Sequence, residues 1–239
     1  MFSDPASVAF LADGRLVVSD LTAFGGGGGL IIVDPDSGQQ QKAVAATEFS
    51  RPWGIAVEPG GRVIVAYMER PAGRGNVLEV DLRTAEHRVI VPDPDLAEPA
   101  GVALEASGDV IVTEPDDSGQ HSRLHRFMRS GSQQVLRDGP TGHRYSGVAL
   151  DGNGDIIVGD LPVHDPGRVV RFDRTGQDMH NIAVGGNLVF PAGVAVDRSG
   201  AILVANSAKN VIRIDPASGA ETPVSTGGSF ESPLGLAIR

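Results

Sequence analysis

The sequence contains no cysteine, which excludes disulfides, thiolate nucleophiles and sulfur-ligated zinc or iron–sulfur centres. Any bound metal would therefore need oxygen or imidazole ligands. Basic residues are also few, 20 against 30 acidic ones, and only Lys42 and Lys209 are lysines. Because the net charge of −10 would repel a phosphate backbone, we expect no nucleic-acid partner.

Long apolar runs are missing as well. No 18-residue apolar stretch occurs, and the first ten residues, MFSDPASVAF, contain no basic segment followed by an apolar one. We therefore expect a cytoplasmic protein with no membrane partner. At 239 residues, of which 41% are hydrophobic, the chain is long enough to form one sizeable β-barrel or β-propeller domain.

An internal repeat is the strongest signal in the sequence. Five segments align without a gap: ASVAFLADGRLVVSD, WGIAVEPGGRVIVAY, AGVALEASGDVIVTE, SGVALDGNGDIIVGD and AGVAVDRSGAILVAN. Their turn glycines, 46 or 47 residues apart, are Gly14, Gly61, Gly108, Gly154 and Gly200. The apolar residues on either side alternate or form short blocks rich in Val and Ile, which predicts two strands joined by a turn.

Two more strands follow in each repeat. The third has sequences such as LIIVDP and VIRIDP, and the fourth is more polar, as in QQKAVAA and ETPVST. Four antiparallel strands in about 45 residues predict the blade of an all-β propeller. We expect a single propeller domain with repeats at about 4–49, 50–96, 97–143, 144–189 and 190–230.

The fifth repeat, with PAGVAVDRSGAILVAN followed by VIRIDPASG, resembles NHL repeats and the six-bladed propellers of the virginiamycin B lyase, gluconolactonase (regucalcin-like) and strictosidine synthase families. The resemblance extends over essentially the whole chain and implies a propeller. It leaves the activity open, because these relatives include lyases, hydrolases, a condensing enzyme and binding modules. The gluconolactonase metal site also depends on Asn residues just before the glycine of the first strand. Ala6, Trp53, Ala100, Ser146, Ala192 and Leu234 hold those positions here, which counts against that lactonase chemistry.

The last nine residues, ESPLGLAIR at 231–239, repeat the pattern of a first strand. We predict five complete repeats and the first strand of a sixth, as in a six-bladed propeller shortened at its C-terminus. The alternatives are a five-bladed ring with an extra strand and an open ring completed by another chain. An unpaired blade edge would favour self-association.

We call the face where each second strand ends the top face, and its loops are longer than the uniform turns of the bottom face. Function usually lies in such variable loops. Six residues after the turn glycines, the second strands end in Asp20, Tyr67, Glu114, Asp160 and Asn206. Asp20, Glu114 and Asp160 could bind a divalent cation, Ca²⁺ or Mg²⁺. The alternative is that these side chains only cap loops.

Histidines next to the fourth repeat are candidates for proton transfer. His143 and His164 lie in top-face loops near Asp160 and Tyr145, and either could act as a general base near neutral pH. Glu114 is the third catalytic candidate, because the resemblance to virginiamycin B lyases implies histidine, glutamate and a divalent cation. Alternatively, the two histidines are exposed and have no role. His125 occupies a position of its strand whose side chain is expected to face the interior, and a buried histidine needs a polar partner.

Aromatic and charged residues around the second top-face loop could bind a ligand. The predicted ligand-binding residues are Trp53, Tyr67, Glu69, Arg70, Tyr145 and Asn206. They are compatible with a small-molecule pocket and with a protein-binding rim. We favour a lyase or hydrolase acting on a small polar or cyclic substrate. The alternatives are a non-catalytic NHL-like module that binds a protein or peptide, and a shortened or engineered propeller studied for its assembly.

Overall fold

The computed structural model describes residues 2–45, 51–69, 74–90, 96–115, 121–207, 209–226 and 232–239, without the side chains of Glu69 and Thr226. These residues form five antiparallel four-stranded sheets, each in the order first, second, third and fourth strand. The all-β propeller prediction is confirmed. No helix among the described residues is long and apolar enough to span a membrane.

The five blades follow one another along the chain. Blade 1 contains β1 (Pro5–Phe10), β2 (Leu16–Asp20), β3 (Gly29–Val33) and β4 (Gln40–Ala45), with a single helical turn, α1 (Ala23–Gly26), between β2 and β3. Blade 2 contains β5 (Pro52–Val57), β6 (Val63–Glu69), β7 (Arg74–Val80) and β8 (His87–Val89). Blade 3 contains β9 (Val102–Leu104), β10 (Val110–Glu114), β11 (Arg123–Phe127) and β12 (Gln133–Asp138). Blade 4 contains β13 (Tyr145–Leu150), β14 (Ile156–Asp160), β15 (Arg168–Phe172) and β16 (Met179–Val184). Blade 5 contains β17 (Pro191–Val196), β18 (Ile202–Asn206), β19 (Asn210–Ile214) and β20 (Glu221–Thr226).

The repeated glycines make the turn between the first and second strands of every blade. All five have φ between 82° and 91°, a conformation that L side chains rarely adopt. The strand pairing then places the start of the first strand beside the end of the second strand, on the face opposite the turn. Pro5 pairs with Asp20, Tyr145 with Asp160, and Pro191 with Asn206, so the beginning of the first strand and the end of the second meet on the top face.

The core lies between neighbouring blades. One apolar cluster joins Val17 and Leu30 of blade 1 to Ile55 and Val63 of blade 2, and three comparable clusters join the later pairs of blades. Hydrogen bonds reinforce this contact near the axis, where the Ser19 hydroxyl donates to the Trp53 carbonyl oxygen at 2.5 Å. Packing of each sheet on the next therefore fixes the first strands around a common centre.

The prediction of a six-bladed propeller with an incomplete sixth blade is wrong, because the described chain forms five complete blades. Residues 233–239 form no strand, and no backbone hydrogen bond joins 232–239 to another described residue. The segment instead packs between the first strands of blades 5 and 1, where a Cβ at Gly235 would lie 2.8 Å from the Ala6 carbonyl oxygen. An apolar pattern alone does not make a strand; a hydrogen-bonded neighbour is also needed. Self-association stays a prediction.

Candidate binding site at the mouth of the central cavity

A cavity of about 510 Å³ lies at the centre of the propeller. Its wall consists of the first strands of all five blades, for example Ser7, Gly54 and Gly147, together with residues 234–236. Trp53, one of the predicted ligand-binding residues, is part of this wall. Cavities of several hundred Å³ are large enough for a small molecule, so this is the candidate site.

The top rim of the cavity is formed by residues at one equivalent position of the repeat. They lie three residues before the first glycine of the repeat and line the cavity in blades 2 to 5. These mouth residues are Arg51, Glu98, Arg144 and Phe190. Among the described residues, the mouth therefore combines two guanidinium groups, one carboxylate and one aromatic ring.

Buried polar side chains at the ends of the second strands fix the backbone of this rim. The Asp160 Oδ1 accepts a hydrogen bond from the Arg144 amide at 3.1 Å, and the Asn206 Oδ1 accepts one from the Phe190 amide at 2.8 Å. In blade 1, Asp20 accepts hydrogen bonds from four backbone amides, those of Ser3, Asp4, Thr22 and Ala23. These side chains act as loop caps, as in the alternative interpretation.

Blade 2 departs from this scheme. Tyr67 takes the position of the capping residue and is buried in the core between blades 1 and 2. The corresponding mouth residue, Arg51, has φ of 54°, which is unusual for a residue other than glycine. Its Nε is buried and has no hydrogen-bond partner among the described residues. Arg51 is therefore held in a strained conformation at the rim.

Glu114 caps blade 3 and also binds the buried His125. Its Oε1 accepts from the Ala97 amide at 2.7 Å, and its Oε2 lies 2.9 Å from the His125 Nε2. Since a carboxylate only accepts, this nitrogen carries the hydrogen. Burial raises the pKa of Glu114, but the hydrogen bonds from His125 and Ala97 and the charge of Arg123 outweigh it, so the pKa lies below its ordinary value. His125 thus has a polar partner for Nε2, whereas its buried Nδ1 has none among the described residues.

Asp160 lies in a buried group with His143 and Arg168. Its Oδ2 is 2.8 Å from the His143 Nδ1 and 2.8 Å from the Arg168 Nε, and its side chain is fully buried. Arg168 Nη2 also lies 2.7 Å from His143 Nδ1. If Nδ1 donates to Asp160, the proton-accepting nitrogen is Nε2, which lies 3.5 Å from Arg168 Nη2. An imidazole oriented in this way by a carboxylate can act as a general base. The structure thus brings His143 and Asp160 together.

The other predicted catalytic and ligand-binding residues are dispersed. His164 is exposed, and no hydrogen bond or ion pair joins it to another residue that the structure describes. Tyr145 is fully buried with its ring 5.6 Å from Phe172, and burial raises the pKa of its phenol. The Glu69 side chain and Arg70 lie outside the described residues. Among the predicted ligand-binding residues whose side chains the structure describes, Trp53 is the one that lines the cavity.

The contacts of Asp20, Glu114 and Asp160 do not fit a cation shared between them. Each carboxylate is buried and is bonded to amides or basic side chains associated with its own blade. In the described part of the chain, no group of three His, Asp or Glu is arranged to hold a metal ion. The divalent cation, Ca²⁺ or Mg²⁺, stays a prediction.

Sequence reasoning missed the mouth residues. A signal was available, because Arg51, Glu98 and Phe190 each stand directly before a proline at the same position of the repeat. Comparing the repeats at that position shows residues of different charge on a uniform scaffold, which is typical of a binding rim. The strain at Arg51 had no such signal.

Comparisons with known proteins support the fold. Neither a family model nor a curated protein matches the sequence. Among solved structures, the chain is similar to a crystal structure of a nidogen/laminin complex, with 16% identity, a TM-score of 0.78, and coverage of 98% of this chain and 84% of that one. A streptogramin B lyase structure gives 16% identity, a TM-score of 0.71, and coverage of 99% and 74%.

A gluconolactonase from Xanthomonas campestris is also similar, with 19% identity, a TM-score of 0.76, and coverage of 95% of this chain and 78% of that one. The predicted resemblance to NHL-like, virginiamycin B lyase-like and gluconolactonase-like propellers is thus confirmed for the architecture. Propellers of this kind include enzymes and a protein from a complex, so the shared fold does not select an activity. The chain is a β-propeller with the architecture of these proteins.

Proposed function

We propose that the protein binds a small molecule at the top mouth of its central cavity. This proposal is supported by the cavity that the first strands of all five blades enclose. Its rim carries polar and aromatic side chains at the same position of successive repeats. Asp160 and Asn206 support that rim by capping the backbone of Arg144 and Phe190. A preformed mouth loses little conformational freedom on binding.

Trp53 gives this proposal a direct test, because it is the single tryptophan of the chain and lines the cavity. We would titrate the protein with aromatic acids, their amides, and sugar lactones with their open acids. At least one class should change the Trp53 emission and raise Tm. Phe190→Ala should weaken that binding about fivefold by removing an aromatic wall, and the matched control Phe2→Ala, at an exposed position, should not. Absence of any response to the whole panel would overturn the proposal.

A second candidate function is lyase or hydrolase chemistry that uses His143. The specific observation is the 2.8 Å contact between His143 Nδ1 and the buried Asp160, next in the chain to Arg144 on the cavity rim. This pairing orients an imidazole as a general base. The similar lyase and gluconolactonase structures make lactones and cyclic esters the first substrates to assay.

The test is acid release or ring opening followed with a pH indicator. His143→Gln should reduce turnover at least about a hundredfold, the usual contribution of a general base. His164→Gln is the matched control and should retain activity, because that side chain is exposed and has no contact with Asp160. Equal activity of both variants would exclude His143 as the base. Adding Ca²⁺ or Mg²⁺ to the same assay, and to a thermal shift comparing wild type with Asp160→Ala, would show whether a cation takes part.

A further inference from the structure

The junction between blades 5 and 1 differs from the other four junctions of the ring. Apolar clusters fill the junctions of blades 1 and 2, 2 and 3, 3 and 4, and 4 and 5. Among the described residues, no such cluster joins blade 5 to blade 1. The segment 233–239 lies there instead. On one side, a Cβ at Gly193 would collide with the Leu234 carbonyl oxygen. On the other side, a Cβ at Gly235 would collide with the Ala6 carbonyl oxygen. The segment therefore closes the innermost layer of this junction.

The second strands show that the outer layers of this junction are incompletely filled. Their second residue faces the next blade and is at most 1% exposed in blades 1 to 4, as at Ile64 and Ile111. The equivalent Leu203 of blade 5 is partly exposed. Their first residue faces the preceding blade and is at most 2% exposed in blades 2 to 5, as at Val63. The equivalent Leu16 of blade 1 is partly exposed.

The third strands show the same difference. Val211 of blade 5 is partly exposed, whereas the equivalent residues of blades 1 to 4, such as Leu30, are fully buried. Val33 of blade 1 is partly exposed, whereas the equivalent residues of blades 2 to 5, such as Val80, are fully buried. Four apolar side chains that are covered at every other junction therefore line a slot here. The slot residues are Leu203 and Val211 on blade 5, and Leu16 and Val33 on blade 1.

The backbone of the segment 233–239 lies between the two sides of the slot. No backbone hydrogen bond joins 232–239 to another described residue, and extended backbone is stabilised by pairing with a neighbouring strand. In blades 1, 3, 4 and 5, the first strand pairs with an antiparallel second strand of five residues. Val and Ile predominate in these second strands. The other junctions therefore show which kind of segment such a slot accepts.

We propose that the slot binds an extended segment of a different protein by β-strand addition. The backbone of the bound segment pairs with 233–239, and its alternating Val or Ile side chains contact the two sides of the slot. A second copy of this chain is a poorer donor, because the twenty described strands are already paired within the five blades. The slot residues are not part of the cavity wall, so this interaction is separate from small-molecule binding.

A fluorescein-labelled peptide of residues 155–173 is a suitable probe, because it contains β14 and β15, the second and third strands of blade 4. Fluorescence anisotropy should show saturable binding of this peptide to the folded protein. Leu203→Asn and Leu16→Asn should each weaken binding at least about tenfold, because an apolar contact is replaced by a desolvated amide. The nearly isosteric Val211→Thr should weaken binding about fivefold. The matched control Val135→Asn, at a position of blade 3 that is 46% exposed, should bind as wild type does.

Two changes in the peptide test how it binds. Ile157→Asp places a charge against an apolar side of the slot, and Val158→Pro removes a backbone donor and interrupts the strand. Both changes should abolish binding at concentrations that saturate the parent peptide. If the Val158→Pro peptide binds as tightly as the parent, backbone pairing does not hold the segment, and strand addition is excluded.

Three further results would overturn the proposal. One is the absence of peptide binding up to about 1 mM, where an interaction is too weak to be specific. Another is unchanged affinity in Leu203→Asn. The third is a dimer in sizing chromatography that Leu203→Asn abolishes, because the occupant is then a second copy. Tm of each variant without peptide separates lost binding from lost folding. Titrations of Trp53 emission in Leu203→Asn should match wild type, so the small-molecule function and the slot are tested independently.

Discussion

Acidic residues at the two faces of this propeller have the same chemistry and different tasks. On the bottom face, aspartates near the surface such as Asp34, Asp197 and Asp215 accept hydrogen bonds from amides two to four residues ahead and shape their own turns. On the top face, Asp20 and Asp160 accept hydrogen bonds from amides 16 or 17 residues away and are fully buried. Bottom carboxylates are local, and top carboxylates connect separate segments.

The difference shows why an acidic residue at a top-face strand end need not be a metal ligand. A buried carboxylate must have its lone pairs satisfied, and backbone amides of the adjoining loop do this in blades 1, 3 and 4. The Asp160 bond also places the mouth residue Arg144, so the capping position and the mouth are coupled in blade 4. Substitutions should therefore cost much at the top face and little at the bottom.

The largest effect is expected at Asp160. Asp160→Asn removes the charge that His143 and Arg168 contact at 2.8 Å and leaves a largely buried guanidinium without its partner. Breaking such a pair should lower the free energy of unfolding by about 3 kcal/mol and Tm by about 6–12 °C. Thermal unfolding monitored by circular dichroism measures this. Asp160→Asn should also weaken ligand binding at the cavity mouth of the proposed function, and a variant as stable as wild type would contradict the comparison.

Glu114→Gln should follow, with a loss of about 2 kcal/mol at pH 7, because the new amide side chain would keep one acceptor for the Ala97 amide and lose the charged bond with His125. Although burial raises the pKa of Glu114, the bonds from His125 Nε2 and the Ala97 amide hold that pKa below its ordinary value. The ionised carboxylate therefore stabilises the folded state at every pH above the ordinary pKa of a glutamate. This stabilisation is lost as the pH falls through the lower pKa of the folded state.

Urea unfolding of wild type and Glu114→Gln at pH 7 and at about pH 3 tests the sign. The stability gap should be full at neutral pH and shrink in acid, since wild type then also carries a neutral side chain. Asn206→Gln has no titratable group and serves as the control whose gap should not change with pH. A gap that widens in acid would contradict the assigned role of Glu114.

Asn206→Asp has a smaller expected effect and tests whether the capping position accepts a charge in every blade. Asn206 Nδ2 donates to the Asn187 carbonyl oxygen and to Asn210 Oδ1, both at 2.7 Å. A carboxylate there would face two acceptors, so we expect a loss of about 1 kcal/mol although Asp is native in blades 1 and 4. Asn206→Asp combined with Asn210→Lys should recover part of it. Unchanged Tm in the single variant would contradict the importance of these donors.

The sequence predicts the blades well, because strand and turn patterns are local. The five turn glycines share one register, and each has the positive φ that such a turn requires. The hydrogen-bond partners of the Asp20 and Glu114 side chains were not predictable from the sequence. They depend on where a loop that is 16 or 17 residues away in the chain passes over the end of the strand. The segment 233–239 has the apolar pattern of a strand but forms none, because that pattern does not indicate whether a neighbouring strand is available for pairing.

The bottom face should give the smallest effect. Asp215 is exposed and accepts hydrogen bonds from the amides of Ala217 and Ser218 through Oδ1. Asp215→Asn keeps that oxygen, so Tm should stay within about 1 °C of wild type and Trp53 titrations should be unchanged. Asp197→Asn, in the turn between β17 and β18, should cost little more, because its ion pair with Arg213 is partly exposed. A Tm loss as large as that of Asp160→Asn would mean that the turns, and not the buried caps, carry the stability that holds the mouth in place.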